Sequence, residues 1–160
     1  MIESWPVLIV FVGVCILAAS SGAIFTPGKW YENLAKPPWT PPNWAFGPAW
    51  TVIFALIAYS GYVFYMAAPP EERFWPLAVY GLQLVLNAGW SALFFGMRRM
   101  DLALGDAVLM LVAIGANIAV FYPHSPEAAW LLVPYFLWVS FASVLNYAIL
   151  RRNMPRERTT

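Results

Sequence analysis

The sequence predicts an all-α integral membrane protein, a five-transmembrane-helix bundle making one domain over residues 1–150, and three observations carry that prediction. Hydrophobic residues make up 61% of the 160 residues and charged residues only 11%, with a mean hydropathy of +0.64. A soluble domain carries about 25% charge, so too little polar side chain exists here to coat a water-soluble globule. The charges also fall between five apolar stretches of about twenty residues, the length that crosses a ~30 Å hydrocarbon core. Finally, no stretch alternates apolar and polar residues as a membrane-barrel strand would, and in lipid a helix satisfies its own backbone.

The first span covers 5–25. Its apolar run is longer than a signal-peptide core, and the residues ahead of it carry Glu3 with no Lys or Arg, so it reads as a retained helix. A loop over 26–43 follows, and from Trp30 to Trp50 the chain packs five prolines and four tryptophans into twenty-one residues. Pro37-Pro38 and Pro41-Pro42 cannot sit inside a helix, and they push the residues before them into extended conformations. The loop is therefore stiff and aromatic. It is either an interfacial connector with tryptophans at headgroup level or a lid over a pocket that wants flat aromatic surface.

The second span, 44–67, opens with Trp50, Phe54 and Ile57 on one face. Ala67 to Arg73 links it to the third span, 75–97, where Gln83, Asn87, Trp90, Ser91 and Phe94 fall on a single stripe. Those polar residues either bond neighbouring helices or point into a cavity and bind a ligand carbonyl or carboxylate. A second stripe, Ala88, Ala92 and Gly96, lies about 100° away and lets another helix approach closely. That helix belongs to the same chain or to a second protomer, and a homodimer through this face is the expectation. Ala18/Gly22 and Ala19/Ala23 form a similar surface on the first span, read as intramolecular.

A tight turn at Arg98-Arg99-Met100-Asp101 leads into the fourth span, 102–122. Its one internal acid, Asp106, is expected to pair with a hydroxyl, amide or arginine; a proton-relay role is the alternative. Asn117 and, on the last span, Asn146 read as glue between helices. The fifth span, 128–150, carries Trp138, Ala142 and Leu145 on one face, and a polar, basic tail is expected over 151–160. Trp50, Trp90 and Trp138, on three different spans, could with the loop line a large, planar, mostly apolar site.

Orientation follows from lysine and arginine. Lys29, Lys36, Arg98, Arg99, Arg151, Arg152, Arg156 and Arg158 fall on one side of the membrane, and Arg73 alone on the other. The positive-inside bias places the first loop and the C-terminus in the cytoplasm and the N-terminus outside. The single cysteine, Cys15, excludes an intramolecular disulfide, and with the single histidine, His124, it argues against a metal site. No basic helix or aromatic-interleaved basic patch points to nucleic acid. Leu145, Tyr147 and Arg151 fit a proposed sterol-contact pattern that many membrane helix ends match by chance.

With these residues laid out, the chain resembles the TspO/MBR family, the tryptophan-rich sensory proteins, whose mitochondrial member is the translocator protein or peripheral benzodiazepine receptor. The resemblance rests on Trp30-Tyr31, Leu34, Lys36-Pro37, Trp39, Pro41-Pro42, Trp44, Phe46, Pro48 and Trp50, then Gln83, Asn87, Trp90 and Phe94-Phe95-Gly96. Trp138, Leu145-Asn146-Tyr147 and Arg151 complete it. It implies a five-helix, usually dimeric bundle in a bacterial inner or outer membrane. Its pocket would take porphyrins such as protoporphyrin IX and synthetic ligands, lined by Ala23, Tyr31, Pro42, Trp50, Gln83, Asn87, Trp90, Trp138, Ala142 and Leu145. No cofactor is required. The resemblance further implies sterol contact through Leu145 to Arg151 and, as an alternative activity, light-dependent porphyrin breakdown through Trp50 and Trp138. Binding, sensing or transport of tetrapyrroles is the leading expectation. A rocking transporter is least favoured, since no internal repeat is visible.

Overall fold

The computed structural model describes residues 4–158, and among these the regular structure is all helical, with no strand. Helix α1 runs Trp5–Ile24, a single helical turn α2 spans Lys29–Glu32, and α3 runs Asn43–Ala67. After a 3-10 turn at Pro70–Glu72 come α4, Phe74–Ser91, with a π-helical turn at Ala92–Gly96, and α5, Met100–Phe121. Two collinear pieces close the bundle, α6 at Pro126–Leu131 and α7 at Val133–Arg158. Five of these segments are long and apolar enough to cross a membrane, and the protein is a multi-pass membrane protein. The observed spans agree with the expected ones to within two residues at every end but one.

Three departures have local causes. Pro134 lacks the N–H that would bond back to Trp130, and its ring crowds that carbonyl. The last span therefore breaks at Leu132, whose N–H turns to Ala129 O at 3.1 Å before Phe136 N–H resumes the helix on Leu132 O at 3.0 Å. At the end of α4 the helix widens: Met97 N–H donates to Ala92 O at 2.8 Å and Arg99 N–H to Leu93 O at 2.8 Å. Arg98 then takes a left-handed conformation, φ 56°, to reverse the chain. Finally, α7 does not stop at residue 150 but continues to Arg158, through the segment expected as a tail.

Helix α1 changes partners along its length. Near its start it lies on α3, where Gly61 accepts the ring of Phe11; a Cβ there would stand 2.5 Å from Phe11 Cδ1 and 2.8 Å from Tyr80 Oη. Near its end it lies on α4. There Ser21 Oγ donates to Ala88 O, and a Cβ at Gly96 would stand 2.7 Å from Phe25. Ala88 and Gly96, expected to face a second protomer, thus meet α1 of the same chain. The half of the bundle away from the first loop is closed by a solid core, with Phe64 and Phe121 stacked at 4.1 Å around buried Leu132 and Tyr135. Ser60 Oγ ties α3 to Ala128 O of α6 at 2.7 Å. On that side His124 Nδ1 lies 3.3 Å from Glu72 Oε2. Trp5, Trp75 and Trp130 face outward at this end, and Trp39 and Trp44 at the other, two aromatic belts at the bundle's ends.

Gly61→Val would drive a branched side chain into Phe11 and Tyr80, an overpacking expected to destabilise the bundle by about 1–3 kcal/mol. Gly13→Val, where nothing lies within 4 Å, is the control. Thermal unfolding in detergent should show a lowered midpoint for Gly61→Val and little change for Gly13→Val; equal midpoints would refute the close contact.

Candidate functional site

At the loop end the helices enclose one large cavity of about 800 Å³ between α1, α3, α4 and α7. Its walls are mostly apolar, and its volume lies within the range of small-molecule sites. Three indoles make the flat surfaces: Trp50 on α3, Trp90 on α4 and Trp138 on α7. Trp50 and Trp138 stand perpendicular with ring centroids 6.2 Å apart, and Trp90 stacks on Phe94 at 4.9 Å.

Hydrogen bonds fix two amide side chains of the wall, Asn87 and Asn146. Asn87 donates Nδ2 to Tyr135 Oη at 2.8 Å, and the Tyr135 hydroxyl donates to Gln83 Oε1 at 2.7 Å. Asn146 accepts from Trp90 Nε1 at 3.0 Å and donates to Met100 O at 3.1 Å, so it holds the Trp90 indole as well as joining α7 to α5. Two buried donors near this chain, Gln83 Nε2 and Trp138 Nε1, have no partner among the described residues.

The loop closes the end of the cavity. Tyr31 enters from α2, is 4% exposed, and meets Phe94 and Phe95 edge-on at 6.1 and 5.6 Å. Burial pushes its phenol above the ordinary tyrosine value, so it stays protonated. The Lys36 ammonium donates to the carbonyls of Tyr31, Glu32 and Leu34 at 2.7, 3.2 and 3.3 Å and lies 4.6 Å from the centre of the Tyr31 ring. Trp39 rests edge-on against Phe141 at 5.8 Å and Phe46 against Trp138 at 5.9 Å. The cavity also has a side opening. Along α1, Val12, Ile16 and Ala23 line it yet face outward, as do Gly47, Thr51, Ala55 and Tyr59 along α3.

Eight of the ten residues expected to line a pocket do so: Ala23, Tyr31, Trp50, Asn87, Trp90, Trp138, Ala142 and Leu145. Gln83 does not; it is fully buried behind Tyr135 and reaches the cavity only through that hydroxyl and Asn87. Pro42 is exposed at the start of α3, outside the cavity wall. The sterol-contact residues do not share a face: Leu145 is buried at the cavity, whereas Tyr147 and Arg151 face outward. Asp106 lacks the expected partner at Oδ2, which is buried and unbonded, and its Oδ1 packs over Gly89. Asn117, expected to glue helices, has neither amide atom bonded among the described residues.

Sequence reasoning passed over Tyr135 and Phe95 as site residues. Tyr135 hides in an aromatic run with no polar neighbour in the chain. Phe95 lies 100° from Phe94 on a regular helix, and it is in the π-helical turn that both rings pack against Tyr31 and Trp90.

A family model described as the TspO/MBR family matches residues 11–152. The chain is 36% identical over 152 residues to a tryptophan-rich sensory protein of Cereibacter sphaeroides, covering 95% of this chain and 94% of that one. It is 40% identical over 146 residues to the tryptophan-rich protein TspO of Chlorobaculum tepidum, covering 89% and 92%. It is also 36% identical over 162 residues to the translocator protein of Bos taurus, covering 98% and 96%.

Tyr135→Phe should leave Asn87 Nδ2 and Gln83 Oε1 unpaired in a buried place, a loss of about 1–3 kcal/mol. A lowered unfolding midpoint in detergent is the expected result; an unchanged one would mean that the chain of bonds contributes nothing to stability.

Proposed function

The chain belongs to the TspO/MBR family, and from that premise we propose that it is a membrane receptor for porphyrins, protoporphyrin IX above all. It would act in tetrapyrrole sensing, transport or regulation. The observation that carries the reading is the cavity itself: about 800 Å³, apolar, and walled by three indoles that offer flat surface to a flat guest. Asn87 supplies a polar point within it, and the exposed cations Lys29 and Arg98 follow closely in sequence on the lining residues Pro27 and Phe95, Arg98 lying 5.8 Å from the Trp30 ring. A planar guest with carboxylates at one edge fits an apolar slot with cations at the loop end of the bundle. The side opening between α1 and α3 offers such a guest a route that stays within the bilayer. In this reading the first loop and the C-terminus are cytoplasmic, as the distribution of Lys and Arg favours, and the receptor works as a homodimer.

One observation favours a second reading, an enzyme that degrades protoporphyrin in light with dioxygen as the oxidant. Trp50 and Trp138 stand 6.2 Å apart in the cavity wall, where either indole could give an electron to a photoexcited porphyrin stacked on it. That chemistry asks for no acid–base group.

Titration of the detergent-purified protein with protoporphyrin IX in the dark, followed by tryptophan fluorescence, tests the first reading. Saturable quenching is expected, with the Kd raised about tenfold by Asn87→Ala or Trp138→Phe, the scale of one lost polar or aromatic contact. Absence of saturation would overturn it. Illumination then tests the second: the Trp50→Phe, Trp138→Phe double variant should still bind porphyrin while porphyrin loss stops. Unchanged loss in a variant that binds would exclude the tryptophans as the reacting groups.

A further inference from the structure

We infer that Asn153, beyond the cavity and outside every expected site residue, is the positioning residue that latches the first loop over the cavity. Its side-chain amide reads the backbone of one loop residue from both sides. Asn153 Oδ1 accepts from Ala35 N–H at 3.1 Å, and Nδ2 donates to Ala35 O at 3.0 Å. The same Nδ2 donates its second hydrogen to Ile149 O, one turn back on α7, at 2.6 Å. The amide is therefore held in its rotamer by its own helix before it meets the loop. It is 6% exposed, so water competes little for these bonds. Only a side chain that both donates and accepts can pair with a backbone N–H and C=O together. Apart from Ala45 N–H donating to Pro42 O at 3.0 Å where α3 begins, these two bonds tie the segment from Gly28 to Pro42 to the bundle among the described residues.

Fixing Ala35 fixes the loop as a unit. Behind it, Lys36 gathers the carbonyls of Tyr31, Glu32 and Leu34, so the turn that carries Tyr31 into the cavity is bound to the residue next to the latch. Ahead of it, Pro37 and Pro38 are stiff. With the amide gone, the packing of Trp30, Tyr31 and Leu34 against the bundle is what remains to hold the lid. The latch rests on the cavity being a binding site and regulates access to it from the loop side.

The test uses the full chain in lipid nanodiscs with no ligand, so it is read whether or not porphyrin binds. Backbone hydrogen exchange of 29–42 reports loop opening. Cys15, the single thiol and a buried part of the cavity wall, reports access when a sulfonated maleimide that does not enter lipid is supplied. Asn153→Ala is expected to speed both about tenfold or more, the scale of the lost bonds, while exchange in the cores of α3 to α7 stays as it was. Asn153→Asp, which keeps the acceptor and loses the donor, should fall between, and it carries the test if the alanine variant does not fold. An unchanged Cys15 rate would overturn the gating role. A rise in exchange shared by all helices would make Asn153 an ordinary stabilising residue and overturn it equally.

Discussion

Helix α1 can rest on α3 at one end and on α4 at the other because glycines stand where Phe11, within it, and Phe25, which caps it, land: Phe11 on Gly61 and Phe25 on Gly96. Close approach at both ends carries α1 across the mouth of the bundle instead of along one groove. What it crosses becomes the cavity, bounded by the outward stripe of α3 on one side and the indoles of α3, α4 and α7 within. In lipid no hydrophobic drive pulls helices together, and contact geometry decides where they meet. The small residues of α1 facing this space, Ala18, Ala19, Gly22 and Ala23, leave the volume that larger ones would fill.

Around that space the polar groups are arranged as two relays that end at cavity walls. One passes from Gln83 through Tyr135 to Asn87, the other from Met100 through Asn146 to Trp90. Each joins two or more helices, so each does two tasks: it satisfies groups that would be costly bare in the membrane, and it sets the direction of a side chain a guest would touch. Gln83 Nε2, at the end of the first relay, and Trp138 Nε1 and Asp106 Oδ2, outside both, are buried with no partner among the described residues.

The fold was legible because hydrocarbon thickness sets helix length, and charges mark where the chain leaves the bilayer. Hydropathy could not see the end of α7, since helical bonding continues through Arg151, Arg152 and Asn153 after the apolar run stops. It could not see the π-helical turn either, because Ala92 to Gly96 carries no proline and the widening is decided by packing against Tyr31 and Phe25. The site was legible where a bulky or polar residue sat on an inward stripe, as with Asn87, Trp90 and Trp138. Gln83 shares that stripe but was misjudged, because a residue from another helix, Tyr135, stands between it and the cavity. Periodicity places a side chain on a face; it does not say what stands in front of it.

The side opening has a thermodynamic consequence. Its outward edges, Val12 and Ile16 on α1 and Thr51, Ala55 and Tyr59 on α3, lie along membrane-spanning helices, so the medium filling it is acyl chain rather than water. Any guest arriving there displaces lipid and is drawn from the amount dissolved in the leaflet. Each buried methylene contributes about 0.8 kcal/mol to partitioning, which concentrates an apolar molecule in the bilayer far above its level in solution. Occupancy therefore follows the guest's mole fraction in the membrane, and at a fixed total amount of guest, adding lipid or detergent lowers that fraction and empties the cavity.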